Sequence, residues 1–442
     1  MKTYFARDAL LPSGWARDVR IAVDERGNFS AVTPGSNGGE PLPGPALPGM
    51  ANLHSHAFQR AMAGLTEVRG APDDDFWSWR ELMYRFLERL TPERTQAVAA
   101  QLYIEMLKHG YTAVGEFHYV HDKSAELLLR HLAAAKETGI AITLLPSLYH
   151  WSNFGRKPLQ PRQLRFDSDP EFVLRNLEDL KKHKAPDINA GVAPHSLRAV
   201  DPSSLKELVT SLAADTPIHI HAAEQTQEVE DCVAALGKRP VEWLLDNMKV
   251  DERWCVVHAT HMTPEETKAL AKSGATAGLC PTTEANLGDG IFPLLAYRAA
   301  GGRYGIGGDS HVSRDPAEEL RLLEYAQRLT TRRRNLVVGN RTAAVGTTLW
   351  LEAAAGGTVL GRKMGAIAPG LRADLVVLDP EHPDLSGRAG DAIANALIFS
   401  GGTTMVRDVM VGGAWTVREG RHPQEQDAAS AYKKALTELL AQ

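Results

Sequence analysis

Eight short apolar, β-branched runs recur between residues 47 and 311, and longer segments of helical period separate them. They read LPGMANLHSH (47–56), YTAVGEFHY (111–119), IAITLLPSLYH (140–150), INAGVAPHS (188–196), TPIHIHAAE (216–224), WCVVHAT (254–260), ATAGLCP (275–281) and RYGIGGDSH (303–311). The segments between them include TPERTQAVAAQLYIEMLKHG and KSAELLLRHLAAAKETG, each closed by the glycine expected after a helix. Others open with Thr-Pro or Asp-Pro, a cap followed by a first-turn proline. Strand–helix alternation predicts a parallel sheet covered on both faces. Eight repeats over this length fit a closed (β/α)8 barrel of the TIM type, with a doubly wound open sheet as the alternative. The barrel is the better reading because most runs end in polar, chemistry-bearing residues. Only a barrel brings all of its strand ends to one face.

Both flanks carry short apolar runs with glycine turns, as in DVRIAVDERGNFSAVTPG near the start and RADLVVLDPEH and TTMVRDVMVGGAWTVREG near the end. Neither flank is long enough to make a sheet easily by itself. The economical expectation is a small β-sandwich domain built from both ends, residues 1–46 and 366–425. A barrel over residues 47–365 and a C-terminal helix over 426–442 complete the chain, with SNGGEPLPGPALPGM as linker.

The net charge of −5 is mild, and no Lys/Arg block stands out, which argues against a nucleic-acid partner. The arginines at 332–334 read as a solvated helix face. No stretch reaches the ~18 apolar residues of a membrane span. Cys232, Cys255 and Cys280 are widely spaced and without a CxxC pair, so reduced thiols and a cytoplasmic location are expected.

The strand ends carry the chemistry. In an extended run alternate side chains share a face, so His54 and His56 point the same way and Ser55 points opposite. His219 and His221 likewise share a face, with His221 nearer the strand end and Glu224 three residues on. The sixth run adds His258 and His261, and the eighth adds Asp309. A lone histidine at a strand end is ordinary filler. His-x-His, His, His and Asp at the first, fifth, sixth and eighth ends of one barrel form a candidate catalytic zinc site, with three histidines, one carboxylate and an open position.

These motifs, HSH, HIHAAE, VHATH and GGDSH, with GAIAPGLRADLVVLD in the tail, resemble the amidohydrolase superfamily over nearly the whole chain. Its dinuclear members carry a bridging lysine at the end of the fourth strand. That end here offers His195 and no lysine, which fits the mononuclear, deaminase-like branch. The resemblance implies one zinc ion per subunit held by His54, His56, His221 and Asp309. It places His258 beside the attacking water and makes Glu224 the proton carrier. Zinc lowers the pKa of a bound water toward neutrality. Asp309 would accept the water's proton, and Glu224 would protonate the imine nitrogen and then the leaving amine.

The remaining strand-end residues should meet the substrate: Gln59, Arg80, Tyr119, His195 and Arg198. Two arginines from separate loops suggest an acidic substrate, because guanidinium binds carboxylate bidentately. Arg80 alone reads equally well as a helix-surface residue. Within the superfamily, NLHSHAFQRAMAGL, DDFWSWRELMYRF, GEFHYVHD, APHSLRAV and GDSHVSRDP resemble the formimidoylglutamate deiminases of histidine degradation. That resemblance implies hydrolysis of N-formimino-L-glutamate, a small dicarboxylate, to N-formyl-L-glutamate and ammonia. It also implies substrate contacts from Gln59, Arg80, Tyr119 and Arg198, and a homodimer. The alternatives are a deaminase of a nucleobase or another amidine, a non-catalytic scaffold of the same fold, and a hydrolase releasing formamide. The scaffold would need a degraded metal site, and the formamide-releasing reaction belongs to a different, two-metal fold. Glu284 and Asn286 after the seventh run could touch substrate or simply build a turn. His118, His121 and His311 flank the site, and Trp77 and Trp79 read as lid packing.

Overall fold

The computed structural model describes residues 1–68 and 76–441, with the side chains of 76–81 and of Thr403 outside the description. The first strands are β1 (Lys2–Leu11), β2 (Gly14–Val23), β3 (Phe29–Thr33), β4 (Glu40–Pro41) and β5 (Ala46–Pro48). The barrel uses β6 (Met50–Ser55), β7 (Tyr111–His118), β8 (Ala141–Leu148), β9 (Ile188–Ala190) and β10 (Ala193–Pro194). It continues through β11 (Ile218–Ala222), β12 (Trp254–His258), β13 (Thr276–Leu279) and β14 (Arg303–Ile306). The chain then returns through β15 (Leu375–Leu378), β16 (Val406–Val411) and β17 (Ala414–Val417).

All barrel pairings are parallel, in the order β10-β8-β7-β6-β14-β13-β12-β11 with β9 on β8. The ring closes through Val192: its N–H donates to Pro217 O and its carbonyl accepts from His219 N, each at 3.0 Å. The fourth repeat is therefore split in two, β9 and β10, around Gly191–Val192. A Cβ on Gly191 would lie 2.5 Å from Pro217 O, so only glycine permits this approach at the seam.

Local chemistry sets the helix starts as expected. Thr91, Asp169 and Asp201 each accept a backbone N–H at the head of a helix whose first residue is proline. Thr263 and Glu266 form a reciprocal capping box. Gly139 and Gly274 end their helices at φ +75° and +90°. The arginines at 332–334 do not lie on a helix face. The helix Pro316–Thr331 ends before them, and Arg332 turns the chain at φ +55°.

The small β-sandwich expected from the two chain ends is realised as one eight-stranded sheet, ordered β17-β16-β15-β5-β1-β2-β3 with β4 on β1. The Pro-rich stretch expected as a linker supplies β4 and β5. Ala46 and Leu47 are fully buried there, which outweighs the linker-like composition. Arg372 fastens this sheet to the barrel: its Nε meets Asp374 Oδ1 at 3.0 Å, and its Nη1 donates to Pro186 O at 2.8 Å, just ahead of β9. Arg372→Met leaves the buried Asp374 carboxylate without its cation. It is expected to cost about 3 kcal/mol, seen as a lowered Tm with the metal site intact. The C-terminal helix, Glu425–Leu440, ion-pairs with the helix Pro92–Lys108 through Lys108–Glu425 (2.7 Å) and Arg94–Glu438 (2.9 Å). Its Leu439 joins the apolar cluster of Phe58, Met83, Phe117, Tyr119 and Phe166 beside the barrel mouth.

Candidate active site

At the ends of β6 and β14 the backbone itself brings the first residues together. His56 N donates to Asp309 O at 3.0 Å, and Asp309 N donates to His54 O at 2.9 Å. Across the barrel, β11 delivers His221, whose Nε2 lies 3.0 Å from His54 Nε2. Asp309 Oδ1 is 3.6 Å from both His54 Nε2 and His56 Nε2. The strand ends expected to converge do converge. The clusters dense enough to hold an ion include His54, His56 and Asp309, and also His54, His221 and His258.

The donor set suits a divalent ion. Two imidazole Nε2 atoms facing each other at 3.0 Å inside a protein repel unless a proton or a cation lies between them. Burial holds His54, His56 and His221 below the ordinary histidine pKa, His56 at about 3, so all three are neutral and carry a free lone pair. Backbone carbonyls orient two of them. His56 Nδ1 bonds Phe117 O and His221 Nδ1 bonds His195 O, both at 2.8 Å, which leaves Nε2 facing inward. Burial first, and then the nearby Glu224, push Asp309 up to about 7 against the pull of His258. A cation on its oxygens would reverse that shift.

His258 differs from the other three. Burial opposes its charge, but Glu224, Glu284 and Asp309 outweigh burial and lift its pKa to about 10. Its Nε2 is 3.5 Å from Asp309 Oδ2 and 3.7 Å from Glu224 Oε1, and hydrogen-bonds to neither. His258, Ala259, Asp309 and Ala223 all sit at positive φ, +64°, +49°, +50° and +53°, a strained backbone in non-glycine residues and typical of functional sites.

Buried glutamates stand behind these strand ends, and sequence reading missed them in this role. Register pairs Ser55 with Glu116 on β7. Glu116 accepts from Ser55 Oγ at 2.6 Å, Ala57 N at 2.9 Å and Tyr103 OH at 3.0 Å, so it grips both sides of His56. Burial lifts its carboxyl to about 7 despite those bonds. Glu228 accepts from Ala223 N and Glu224 N at 3.3 and 3.0 Å. Glu284 accepts from His258 Nδ1 at 3.2 Å. The sequence signals were slight: a glutamate inside an apolar strand, and one four residues after Glu224.

A narrow cavity, partly open to solvent, joins His56, His221, His258, Asp309 and Glu224 to Gln59, Tyr119, His195 and Arg198. Met83, Tyr149, Phe166, Thr283 and Ser310 complete much of its wall. Gln59 Nε2 donates to Tyr119 OH at 2.9 Å, while its buried Oε1 has no partner among the described residues. Arg198 is buried, with Nη1 3.4 Å from Ser152 O. Arg80 falls in the helix Phe76–Leu87, and its side chain, like those of Trp77 and Trp79, lies outside the described residues. Of the residues weighed more lightly, Asn286 reaches out to Glu67 at 2.6 Å, away from the cavity wall. His311 backs Ser55 at 2.9 Å, and His261 bonds Asp289 O at 2.8 Å.

Residues 46–416 match the Amidohydrolase family, and residues 1–40 match the N-terminal domain of formimidoylglutamate deiminase HutF. The formimidoylglutamate deiminase of Pseudomonas aeruginosa is 52% identical over 452 aligned residues, covering all of both chains. The crystal structure of an amidohydrolase from Brucella melitensis superposes with a TM-score of 0.93 at 47% identity over the full length of both chains. An adenosine deaminase from Xanthomonas campestris, solved with bound zinc, shares the fold at a TM-score of 0.84 and 21% identity. That match covers 99% of this chain and 98% of the other. The chain therefore belongs to the amidohydrolase family and, within it, groups with the formimidoylglutamate deiminases.

Proposed function

We propose that this chain hydrolyses the amidine of N-formimino-L-glutamate, giving N-formyl-L-glutamate and ammonia. The observation that carries this is a single cavity in which Arg198, Gln59 and Tyr119 face the histidine–aspartate cluster and Glu224. The relationship to the Pseudomonas aeruginosa enzyme, over the whole length of both chains, points to the same reaction.

His54, His56, His221 and Asp309 would hold one zinc ion. His258 lies as near, and with its Nδ1 on Glu284 it is read as the residue beside the attacking water and not as a fifth ligand. When bound, the ion supplies a Lewis acid that brings a water's pKa near neutrality. Asp309 takes the proton that the attacking water loses. His258 Nε2, 3.5 Å from Asp309 Oδ2, steadies the incoming oxygen with its positive charge. Glu224 passes that proton to the imino nitrogen as the water oxygen bonds to carbon, and the hydroxyl proton of the resulting adduct, moved by the same carboxylate as the carbonyl forms, lets that nitrogen leave as ammonia. Arg198 takes one substrate carboxylate, and Arg80 with Gln59, Tyr119 and His195 takes the remaining polar groups. A dicarboxylate suits a wall that supplies cations from separate loops.

Among the described residues no helix is long and apolar enough to cross a membrane. Three unpaired buried thiols are in keeping with a cytoplasmic enzyme, and the family resemblance suggests a homodimer. The test is product identification on zinc-replete protein. Ammonia and N-formyl-L-glutamate in equal amounts, lost on chelation and regained with zinc, are expected. Formamide with glutamate would overturn the mechanism. Turnover of neutral nucleobases in place of N-formimino-L-glutamate would overturn the substrate.

A further inference from the structure

Strand β13 is one of the barrel's chemically decorated ends, yet it supplies neither a proposed ligand nor a proton carrier. It runs through Cys280 directly into the short helix Pro281–Leu287. Two residues in the first turn of that helix reach two of the strained positions across the site, Glu284 by touching His258 and Thr283 by touching both chain neighbours of Asp309.

Thr283 Oγ1 lies 3.1 Å from Gly308 O, 3.3 Å from Ser310 N and 2.9 Å from Ser310 Oγ. A hydroxyl has one proton and two lone pairs. Here the proton goes to the Gly308 carbonyl, and the lone pairs accept the Ser310 N–H and O–H. Its whole bonding capacity is spent on the two neighbours of Asp309, the residue at φ +50°. The next residue, Glu284, takes Cys280 N at 2.9 Å and His258 Nδ1 at 3.2 Å on one oxygen. His258 stands at φ +64°. With Nδ1 engaged, its Nε2 is aimed at Asp309 Oδ2 and Glu224. The turn is anchored from behind: Thr282 N and Oγ1 donate to the buried Glu319 at 2.9 and 2.6 Å. Thr283 and Glu284 are themselves buried.

We infer that Thr283 and Glu284 are positioning residues for the hydrolysis, Thr283 holding Asp309 and Glu284 holding His258, so that one turn sets the spacing between the carboxylate and the imidazole. A carboxylate that must both meet a metal and accept a proton tolerates little angular error. The inference rests on the roles proposed above for Asp309 and His258.

The test uses three variants of the full-length protein. Thr283→Val keeps the branched shape and removes the hydroxyl, Thr283→Ser restores it, and Glu284→Gln keeps an acceptor for Cys280 N while removing the charge. Zinc affinity by competition with a chromophoric chelator and the visible spectrum of the cobalt-substituted protein are read beside kcat and KM. Thr283→Val is expected to bind zinc about 10–100-fold more weakly and to shift the cobalt bands, with Thr283→Ser restoring both. Glu284→Gln is expected to lose about 10–100-fold in kcat with KM and zinc affinity near those of the parent. Unchanged zinc affinity and cobalt bands in Thr283→Val would overturn the Thr283 half. A parent-like kcat in Glu284→Gln, or a fall in kcat matched by falls in Tm and zinc affinity, would overturn the Glu284 half. If the parent protein does not turn over N-formimino-L-glutamate, the substrate reading fails by itself, and the zinc and cobalt measurements still decide Thr283.

Discussion

Glu224→Gln is expected to lower kcat by about 10²–10⁴-fold, the usual worth of a positioned general acid–base, while zinc content and Tm stay at parent values. The geometry separates those effects. Glu224 lines the cavity, with Oε1 3.7 Å from His258 Nε2, and among the described residues it belongs to no side-chain cluster compact enough to hold an ion. Its place is set by its backbone N–H, which Glu228 holds at 3.0 Å, so an amide at the side-chain end leaves the loop as it is. Gln can still accept a hydrogen bond but cannot deliver a proton to an imine. Measured by steady-state kinetics and metal analysis, loss of kcat with full zinc occupancy supports the proton-carrier role. Loss of zinc together with kcat would move Glu224 among the ligands.

Arg198→Gln is expected to reduce kcat/KM for N-formimino-L-glutamate about 100-fold, about 2.7 kcal/mol, within the range of a hydrogen bond to a charged group. Arg198 is buried at the cavity wall, close enough to His221 for its charge to be felt there. A carboxylate arriving beside it is shielded from bulk water, which keeps the interaction strong. A substrate analogue lacking one carboxylate gives the sharper reading. If Arg198 grips that carboxylate, the parent enzyme already loses the interaction with the analogue, and Arg198→Gln adds little further loss. Equal losses on both substrates would mean that Arg198 acts through the wall of the cavity and not on the carboxylate.

Much of the architecture could be read from the chain because it depends on local rules. Strand alternation alone puts His54 and His56 on one face, and both end within the same cluster. Asp-Pro and Thr-Pro starts were legible because a cap and its amide lie two or three residues apart, as at Asp201 and Thr263. The reading failed where composition and burial disagreed. Residues 36–50 look like a linker by their prolines and glycines, but Ala46 and Leu47 are buried and pair with β1 and β15. The arginines at 332–334 look like a helix face by charge, but the helix stops at Thr331.

By itself the sequence determined the order of strands and helices, the parallel barrel and the chain positions from which the histidines and Asp309 would come. Each of these follows from periodicity or from a contact within one turn. Only the tertiary structure decided which residues support them. Glu116 meets Ser55 from 61 residues away, Glu284 meets His258 from 26, and Thr283 meets Ser310 from 27. The first partner is chosen by strand register, where a slip of one residue would turn Glu116 to the opposite face, and the other two by where the helix after β13 lands against its neighbours. No local pattern records that choice. It is made when the barrel closes and the low dielectric of its mouth gives each buried carboxylate a specific set of donors.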